Sequence, residues 1–414
     1  MSGAPEARGI RRIVVVGAAP CGCHAAETLR EEGFDGEVVV VGAEGHLPYD
    51  RPPLSKSFLS TEPPEEPEDP GFHPRSFYEE QRIELELGVP VTAVLPREQA
   101  VELRGGRRLS YDRLPLATGA RVRRLRVPGG DLPGVHYLRT RDDAERLRAA
   151  IGSARRVVVV GAGFIGCEVA ASCRARGLEV AVIASGPAPL HRALGPEAGA
   201  HIGALHRGHG VELRLGDGVA DLRGSGRVEE VVARSGAHIP ADLVVVGIGV
   251  EPETGYLGGS GIAEDDGILV DERCATSVPG VFAAGDCARW PHRASGARVR
   301  LEHWENAWYQ AEAAARSLLG GGEPYTQLPY FWSDQYDFEI QFIGHAPHWD
   351  RVVLRGDPGG ASFAAFYLDG GLLRAAMCLG RPEEEVDAVR GLVERTARPD
   401  AAALADAGTD LGAL

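Results

Sequence analysis

The chain has 414 residues, a formal net charge of −15 and seven cysteines. Its length allows two or three domains with a large core, and its negative charge argues against nonspecific binding to nucleic acid. Because no run of about 18 apolar residues exists and no apolar segment precedes the first strand, we expect neither a transmembrane helix nor a signal peptide. The cysteines lack metal-ligand spacing and a CxxC motif, which favours buried thiols in the reducing cytoplasm and no metal site.

A dinucleotide-binding pattern opens the chain. Ile13–Val16 is a run of β-branched residues that predicts a buried parallel strand, and a turn of small residues from Gly17 to Gly22 follows it. Apolar and small residues at helical spacing then continue to Leu29. Glycines in such a turn let the backbone approach a pyrophosphate, which the free N–H groups of the helix N-terminus attract. Ala19 stands where a second glycine is usual, and taken alone the pattern also fits an ordinary βα turn.

The segment VVVVGAGFIGCEVA, residues 157–170, repeats this pattern with all three glycines, Gly161, Gly163 and Gly166. The two first glycines, at positions 17 and 161, are far enough apart for two separate sheets. Two such units in one chain predict two nucleotides held face to face, which is the plan of a flavoprotein that uses a pyridine nucleotide.

The residue at the end of the second strand of each unit helps to determine which nucleotide binds. A carboxylate at the end of this strand normally binds the adenosine ribose hydroxyls, and in the first unit the candidate is Glu44. In the second unit the strand ends at Ala184, so the carboxylate that would select NADH is absent. Ser185 and Arg192 could instead tolerate a 2′-phosphate, which leaves both NADH and NADPH open as donors.

The loop Leu47–Lys56 carries two cations, Arg51 and Lys56, that we expect near a bound dinucleotide, with a solvated charged loop as the alternative. Lys56 is the only lysine in a chain with 44 Lys+Arg residues. One explanation is chance under a compositional bias towards arginine. Because arginine is planar and forked whereas lysine offers a compact ammonium, we favour the alternative that this site cannot accept a guanidinium. Ser55 is predicted to cap the helix that follows the loop.

The other elements are predicted from turn residues and periodicity. Ahead of the second glycine turn we expect a Pro- and acid-rich surface loop at Thr61–Pro70, short strands between Val91 and Leu103, a strand that ends at Ala117, and a helix over Thr140–Ile151. Beyond that turn we expect strands near Val211, Val228 and Leu243, a strand from Val281 that leads through Asp286 to a helix start, a helix over Trp304–Leu319, an antiparallel sheet after Pro329, a helix over Glu383–Glu394 and a polar tail.

Seven motifs together resemble one family over nearly the whole chain and in the same order. They are GAGFIGCEVA, LPYDRPPLSK, LATGA, YLRTRDDAERL, VFAAGDCA, LEHWENAWYQ and FWSDQY, and they are similar to the FAD-dependent ferredoxin reductases of the putidaredoxin reductase and biphenyl dioxygenase reductase type. The resemblance implies the glutathione reductase fold, an α/β fold with two Rossmann-like dinucleotide-binding domains and a C-terminal α+β domain. The implied divisions are 1–118 and 247–325 for the FAD domain, 119–246 for the NAD(P) domain, and 326–414 for the last domain.

The resemblance also implies roles for individual residues. The implied FAD contacts fall on Gly17, Ala19, Cys21, Gly22, Arg51, Lys56, Val91, Ala117, Arg139, Asp286 and Trp304. The implied nicotinamide dinucleotide contacts fall on Gly161, Gly163, Ile165, Gly166, Gly247 and Glu302. The family's ribose carboxylate falls on Ala43, so Glu44 must take its place. Glu168 matches the acid that pairs with the lysine beside the flavin, so Lys56, Glu168 and Trp304 are the implied catalytic residues.

The family passes electrons from NAD(P)H through FAD to a [2Fe–2S] ferredoxin that serves a cytochrome P450 or a dioxygenase. Disulfide reductases and peroxide-reducing relatives need cysteines where this chain has the loop Leu47–Lys56, which contains none. An acidic ferredoxin calls for a local basic surface, and the arginines between Arg121 and Arg126 are candidates, with a solvated linker as the alternative.

Other functions stay open at this stage. Within enzymes these are a rubredoxin reductase, an NAD(P)H oxidase and, with less support, a plain dehydrogenase. A different class is a flavoprotein like the apoptosis-inducing factors, in which NADH switches a binding surface. That class predicts slow turnover with every acceptor, and the compact chain without long basic insertions argues against it.

Overall fold

The structure is a computed structural model that describes residues 9–60, 71–357, 359–360 and 362–414. The loop predicted at Thr61–Pro70 lies outside these residues. The described helices are α1 Pro20–Glu31, α2 Ser57–Ser60, α3 Arg75–Glu80, α4 Arg141–Ile151, α5 Phe164–Ala175, α6 His191–Gly208, α7 Trp304–Leu318, α8 Glu383–Glu394 and α9 Ala401–Ala405.

The strands up to residue 184 are β1 Arg12–Val16, β2 Glu37–Val41, β3 Ile83–Glu86, β4 Val91–Leu95, β5 Ala100–Leu103, β6 Arg108–Ser110, β7 Leu114–Leu116, β8 Ala120–Val122, β9 Val135–Tyr137, β10 Arg156–Val160 and β11 Glu179–Ala184. Those of the next segment are β12 Glu212–Leu215, β13 Val219–Arg223, β14 Glu230–Ala233, β15 His238–Pro240, β16 Leu243–Val246 and β17 Val250–Pro252. The later strands are β18 Ile268–Leu269, β19 Val281–Ala283, β20 Ala288–His292, β21 Ala297–Val299, β22 Tyr330–Gln335, β23 Phe338–Gly344, β24 Arg351–Asp357, β25 Ser362–Asp369 and β26 Leu372–Leu379.

The chain forms two compact units. The first comprises residues 1–50, 70–121 and 251–329 and is organised on a parallel sheet of order β19-β7-β1-β2-β3. Strand β1 pairs in parallel with both β2 and β7. Its residues from Ile13 to Val16 are at most 3% exposed, because a central parallel strand is covered on both faces. This sheet therefore places the turn after β1 at its carboxyl edge, where α/β proteins bind ligands.

The second unit comprises residues 51–69, 122–250 and 330–414, and its described residues include three sheets. One is parallel with the order β12-β11-β10-β16-β9, and two are antiparallel, a small one with the order β13-β14-β15 and a larger one with the order β22-β23-β26-β25-β24. One core cluster joins Cys167 of α5 and Leu194 of α6 with Phe342 and Met377 of the larger antiparallel sheet. The predicted fold class, two Rossmann-like regions and a C-terminal α+β domain, is confirmed, whereas the residue numbers at which the domains divide stay a prediction.

Two local predictions of secondary structure are wrong. The segment after Asp286 is strand β20 rather than a helix, because Trp290 and its neighbours alternate between buried and half-buried positions and Pro291 cannot donate a helical hydrogen bond. The chain does not close on a polar tail, since Leu404 of α9 and Leu411 are buried.

Candidate functional site

The first glycine turn leaves no room for side chains. Gly17 has a φ of +121°, and a Cβ atom there would lie 2.2 Å from the carbonyl oxygen of Ala117. A Cβ atom at Gly22 would lie 1.8 Å from the carbonyl oxygen of Gly17. Both contacts are with backbone atoms that cannot move aside easily. The turn therefore needs glycine at these positions for helix α1 to begin directly against strand β1.

The N-terminus of α1 is built to face an anion. Ala19 is the N-cap in an extended conformation and Pro20 occupies the first turn, in which no residue is acidic. Among the described residues no side chain caps this helix. Burial raises the pKa of the Cys21 thiol, so the first turn carries no thiolate charge. The backbone N–H groups of this turn are suited to a pyrophosphate, and the role of Gly17 to Gly22 as a dinucleotide cradle stays a prediction.

The second glycine turn has the same construction in the other unit. Gly161 has a φ of +105°, and a Cβ atom there would lie 2.2 Å from the carbonyl oxygen of Gly247. A Cβ atom at Gly166 would lie 2.1 Å from the carbonyl oxygen of Gly161. Gly163 is the N-cap of α5, and a Cβ atom there would meet no described atom within 4 Å. Ile165 is 44% exposed on the first turn of α5, so this cradle is open above Gly163.

The residues that follow the second strands differ between the two units. Glu44 accepts a hydrogen bond of 2.5 Å from the Tyr49 hydroxyl. In the other unit Ala184 ends β11, and Ser185 and Arg192 are exposed. These two side chains are therefore accessible where a ribose phosphate would be recognised, and their role stays a prediction.

Lys56 and Glu168 form a buried ion pair. The Lys56 Nζ atom lies 3.1 Å from the Glu168 Oε1 atom, and their side chains are 17% and 3% exposed. Lys56 also donates to the carbonyl oxygen of Pro52 at 3.4 Å. Glu168 lies on α5, which begins at the second glycine turn. The implied pairing of the two residues is thus present in the structure, and their action on a flavin stays a prediction.

Ser55 does not cap the following helix as predicted. Its hydroxyl instead donates to the Glu168 Oε2 atom at 2.5 Å, a charge-assisted hydrogen bond to a buried carboxylate. One helical turn further along α5, the Ser172 hydroxyl donates to the Ser55 carbonyl oxygen at 2.7 Å. Since Glu168 and Ser172 are four residues apart, one face of α5 holds the loop that carries Lys56.

Trp304 begins α7 and is held from two sides. Its Nε1 atom donates to the Asp50 Oδ1 atom at 2.8 Å, and its ring stacks on Trp308 at 4.9 Å. Burial raises the pKa of Asp50, whereas the bond from Trp304 lowers it. Trp308 in turn stacks on His24 at 3.6 Å. The orientation of the Trp304 indole is therefore fixed by packing within its own unit.

The remaining predicted residues are dispersed. Arg51 donates from Nη1 to the carbonyl oxygen of Arg139 at 2.5 Å, which brings these two together. Asp286 lies on the turn after β19, and its carbonyl oxygen accepts a bond from Arg300 at 3.2 Å. Glu302 also pairs with Arg300, at 2.8 Å. Val91 begins β4 and packs against the core of the first unit. The cofactor contacts implied for these residues stay predictions.

Sequence reasoning assigned no role to two buried polar groups. His24 is 6% exposed and contacts the carboxylates of Glu27 and Glu312 at 3.3 and 3.0 Å. Ser333 is fully buried, and its hydroxyl donates to the Glu168 Oε1 atom at 2.6 Å. The alternation of Phe331–Gln335 could have indicated that Ser333 faces inward, but no pattern in the sequence connects Ser333 to Glu168.

Two searches of the described residues found nothing further. None of the described helices is long and apolar enough to cross a membrane. No group of three or more His, Cys, Asp or Glu side chains within the described ranges could hold a metal ion.

Two glycine turns, each between a parallel strand and a helix, define a protein that binds two dinucleotides. Residues 11–311 match the family described as pyridine nucleotide-disulphide oxidoreductase, and residues 330–414 match the family described as reductase C-terminal. The chain therefore belongs to the pyridine nucleotide-disulphide oxidoreductase family, whose members depend on FAD and a pyridine nucleotide.

Known relatives are similar along almost the entire chain. The ferredoxin–NAD(+) reductase component of the biphenyl dioxygenase system of Paraburkholderia xenovorans is 38% identical over 97% of this chain and 98% of its own. The ferredoxin reductase for the CYP199A2 system of Rhodopseudomonas palustris superposes with a TM-score of 0.93 at 36% identity, covering 97% and 99% of the chains. Putidaredoxin reductase in its covalent complex with putidaredoxin gives 0.91 at 34% identity, covering 97% of each. The resemblance read from the sequence motifs is confirmed.

Proposed function

We propose that this protein is an FAD-dependent NAD(P)H:ferredoxin oxidoreductase that supplies a [2Fe–2S] ferredoxin of a cytochrome P450 or dioxygenase system. The observation that carries the proposal is the pair of glycine cradles on separate parallel sheets, one for each dinucleotide. Relatives that are similar over nearly their full length are reductases of ferredoxins. The protein works in the cytoplasm, where NAD(P)H is available as the electron donor and oxidised ferredoxin as the acceptor.

FAD fits the first cradle because the backbone at Gly17 and Gly22 has no space for a Cβ atom and the N-terminus of α1 lacks acidic residues. Gly17 to Gly22 would hold the pyrophosphate, and Glu44 the adenosine ribose. Arg51, Asp286 and Trp304 would bind the rest of the molecule. When bound, FAD accepts a hydride from NAD(P)H and releases electrons singly to a protein acceptor.

The resemblance to the family implies that Lys56 acts on the flavin, to which it would supply a fixed positive charge. Its ammonium is a compact donor that Glu168 and the Pro52 carbonyl oxygen orient. A buried cation without a partner is strongly destabilising, so Glu168 lets the chain keep this charge in the protein interior. Beside a bound flavin, the pair would stabilise negative charge on the ring system.

Thiol chemistry has no place in this scheme. All seven cysteines belong to the described residues, and each is free and buried. Burial raises the pKa of Cys173 and of Cys378 to about 12, so both stay protonated at neutral pH. Without a reactive thiolate, electrons must leave the protein for an external acceptor rather than for an internal disulfide.

The decisive experiment is anaerobic stopped-flow reduction of the yellow protein by NADH and by NADPH, followed by addition of a [2Fe–2S] ferredoxin and cytochrome c. Rapid bleaching and then ferredoxin-dependent reduction of cytochrome c are expected. The faster donor decides the selectivity that Ala184, Ser185 and Arg192 leave open. Bleaching without transfer to any ferredoxin would favour a rubredoxin reductase, an oxidase or an NADH-switched binding protein, and a protein purified without flavin would refute the proposal.

A further inference from the structure

A line of buried hydrogen bonds leads away from Glu168. The Ser333 hydroxyl donates to the Glu168 Oε1 atom at 2.6 Å, and the Gln335 Nε2 atom donates to the Ser333 Oγ atom at 3.1 Å. The Gln335 Oε1 atom lies 2.8 Å from the Nε2 atom of His206 on α6. These four side chains are at most 3% exposed. The second unit thus connects its buried carboxylate to a histidine on a different helix.

In every hydrogen bond of this line, the acceptor is the group nearer to Glu168 along the line. An amide oxygen can only accept, so the His206 Nε2 atom carries the proton and donates to Gln335. The His206 Nδ1 atom then accepts from the Tyr336 hydroxyl, which lies 3.0 Å away. Burial lowers the pKa of His206 to about 4, although its bond with Gln335 raises it. A neutral imidazole with this tautomer fixes the direction of every bond from Tyr336 to Glu168.

The turn that holds Tyr336 is strained, which indicates that its contacts are strong. Tyr336 has a φ of +56°, a left-handed conformation that bulky side chains rarely adopt. Its ring stacks on His209 at 3.7 Å, and its hydroxyl bonds to His206. Strain of this kind persists only where the surrounding contacts over-determine the backbone. The turn between β22 and β23 therefore keeps Gln335 and Ser333 in place on the strand that precedes it.

We propose that His206 is a positioning residue that fixes the Glu168 carboxylate, through Gln335 and Ser333, in the orientation that pairs with Lys56. The inference rests on the proposed function, in which that pair acts beside the flavin. The line is an orienting network rather than a route for protons, because an amide such as Gln335 donates and accepts at different atoms and does not readily pass a proton on. The carboxylate that it fixes belongs to the ion pair of the only lysine in the chain.

The single lysine allows a direct test. Protein labelled with [ε-¹⁵N]lysine and loaded with FAD gives one side-chain ammonium signal, which belongs to Lys56. In His206→Leu we expect the signal to shift and its protons to exchange with water about five-fold faster, the effect of losing one neutral hydrogen bond. His206→Gln keeps an N–H donor for Gln335 and should restore the signal. His201→Leu changes a histidine on the same helix that contacts Phe363 instead, and it should leave the signal unchanged.

Flavin reduction gives the second readout. We expect His206→Leu to be reduced by NAD(P)H about five-fold more slowly than the wild type, and Ser333→Ala about tenfold more slowly, because Ser333 bonds to the charged group itself. If His206→Leu fails to fold, a comparison of Ser333→Ala with Ser333→Thr tests the same line of hydrogen bonds. Threonine keeps the hydroxyl that bonds to Glu168, so Ser333→Thr should be reduced faster than Ser333→Ala.

Two results separate this inference from the proposed function. If NAD(P)H reduces the flavin of Lys56→Met as fast as that of the wild type, the ion pair has no role in flavin reduction. The proposed role of His206 in positioning Glu168 for that reaction then fails as well. If Lys56→Met is slow while His206→Leu and Ser333→Ala both keep the wild-type lysine signal and rate, only the inference about His206 is overturned.

Discussion

The second glycine cradle offers a pair of substitutions that separate ligand binding from folding. In Gly163→Ala the added Cβ atom meets nothing within 4 Å, and the N-cap keeps its extended backbone at φ −81°. Alanine is a poorer N-cap than glycine but restricts the unfolded chain more, so the two effects oppose each other and the stability should change by less than about 1 kcal/mol. The methyl group occupies the open side of the turn, where we predict that the pyrophosphate of the nicotinamide dinucleotide approaches the backbone.

Gly166→Ala is the matched control three residues further along. Its Cβ atom would lie 2.1 Å from the carbonyl oxygen of Gly161 and so forces α5 away from β10. Overpacking against backbone costs about 1–3 kcal/mol or more, so this variant should lose stability as well as nucleotide binding.

Thermal unfolding and the KM for NADH and NADPH measure the two effects separately. We expect Gly163→Ala to melt like the wild type with a KM raised at least tenfold, the consequence of about 1.4 kcal/mol of lost binding. Gly166→Ala should melt at a clearly lower temperature. An unchanged KM in Gly163→Ala would refute the assignment of this turn to the nicotinamide dinucleotide, and a large loss of stability in it would refute the packing argument.

Three further predictions concern charged residues. Lys56→Arg should retain FAD but be reduced about tenfold more slowly in stopped-flow experiments, since a forked guanidinium does not fit a site built for an ammonium; unchanged kinetics would exclude that role. Burial lowers the pKa of His24, but its bonds to Glu27 and Glu312 outweigh this and raise it above 6.5. The contribution of these bonds is therefore complete below about pH 6.5 and is lost as the pH rises through the raised pKa, so urea unfolding should show His24→Gln to be more destabilising at about pH 5.5 than at pH 8.5. Arg121 pairs with Glu251 and Glu253, so Arg121→Gln makes this surface more acidic; it should raise the KM for ferredoxin several-fold at low salt without slowing flavin reduction, and equal KM values would remove this surface from the docking site.

Much of the fold could be predicted because its signals are local. Helix α8 begins and ends at the predicted residues, since an acidic helix start and helical spacing determine such an element within a few positions. The glycines at 17, 161 and 166 were recognised for the same reason. Each accounts for a close backbone approach that only glycine permits.

The errors arise where tertiary contacts compete with local preferences. Ser55 stands before a short helix and has the chemistry of a cap, yet its hydroxyl bonds to Glu168, which is 113 residues away in the chain. Trp290 follows a turn that resembles a helix start, yet it lies in a strand because its ring is buried in the core. Neither Glu168 nor the core around Trp290 can be recognised from the neighbouring sequence. Local patterns therefore predicted the wrong hydrogen bond for Ser55 and the wrong element for Trp290.

Helix α5 joins the two chemical features of the second unit in one rigid element. Gly163 is its N-cap and Glu168 is its fifth residue, so the open cradle and the carboxylate that holds Lys56 are about 7.5 Å apart along the helix axis. Because a helix of this length does not stretch, a nucleotide phosphate bound at its N-terminus and the ammonium paired on its side keep a constant separation. Ser55 and Ser333 then fix the carboxylate from both sides, through its Oε2 and Oε1 atoms. The position of the only lysine is thereby set by the same helix that begins at the second glycine turn.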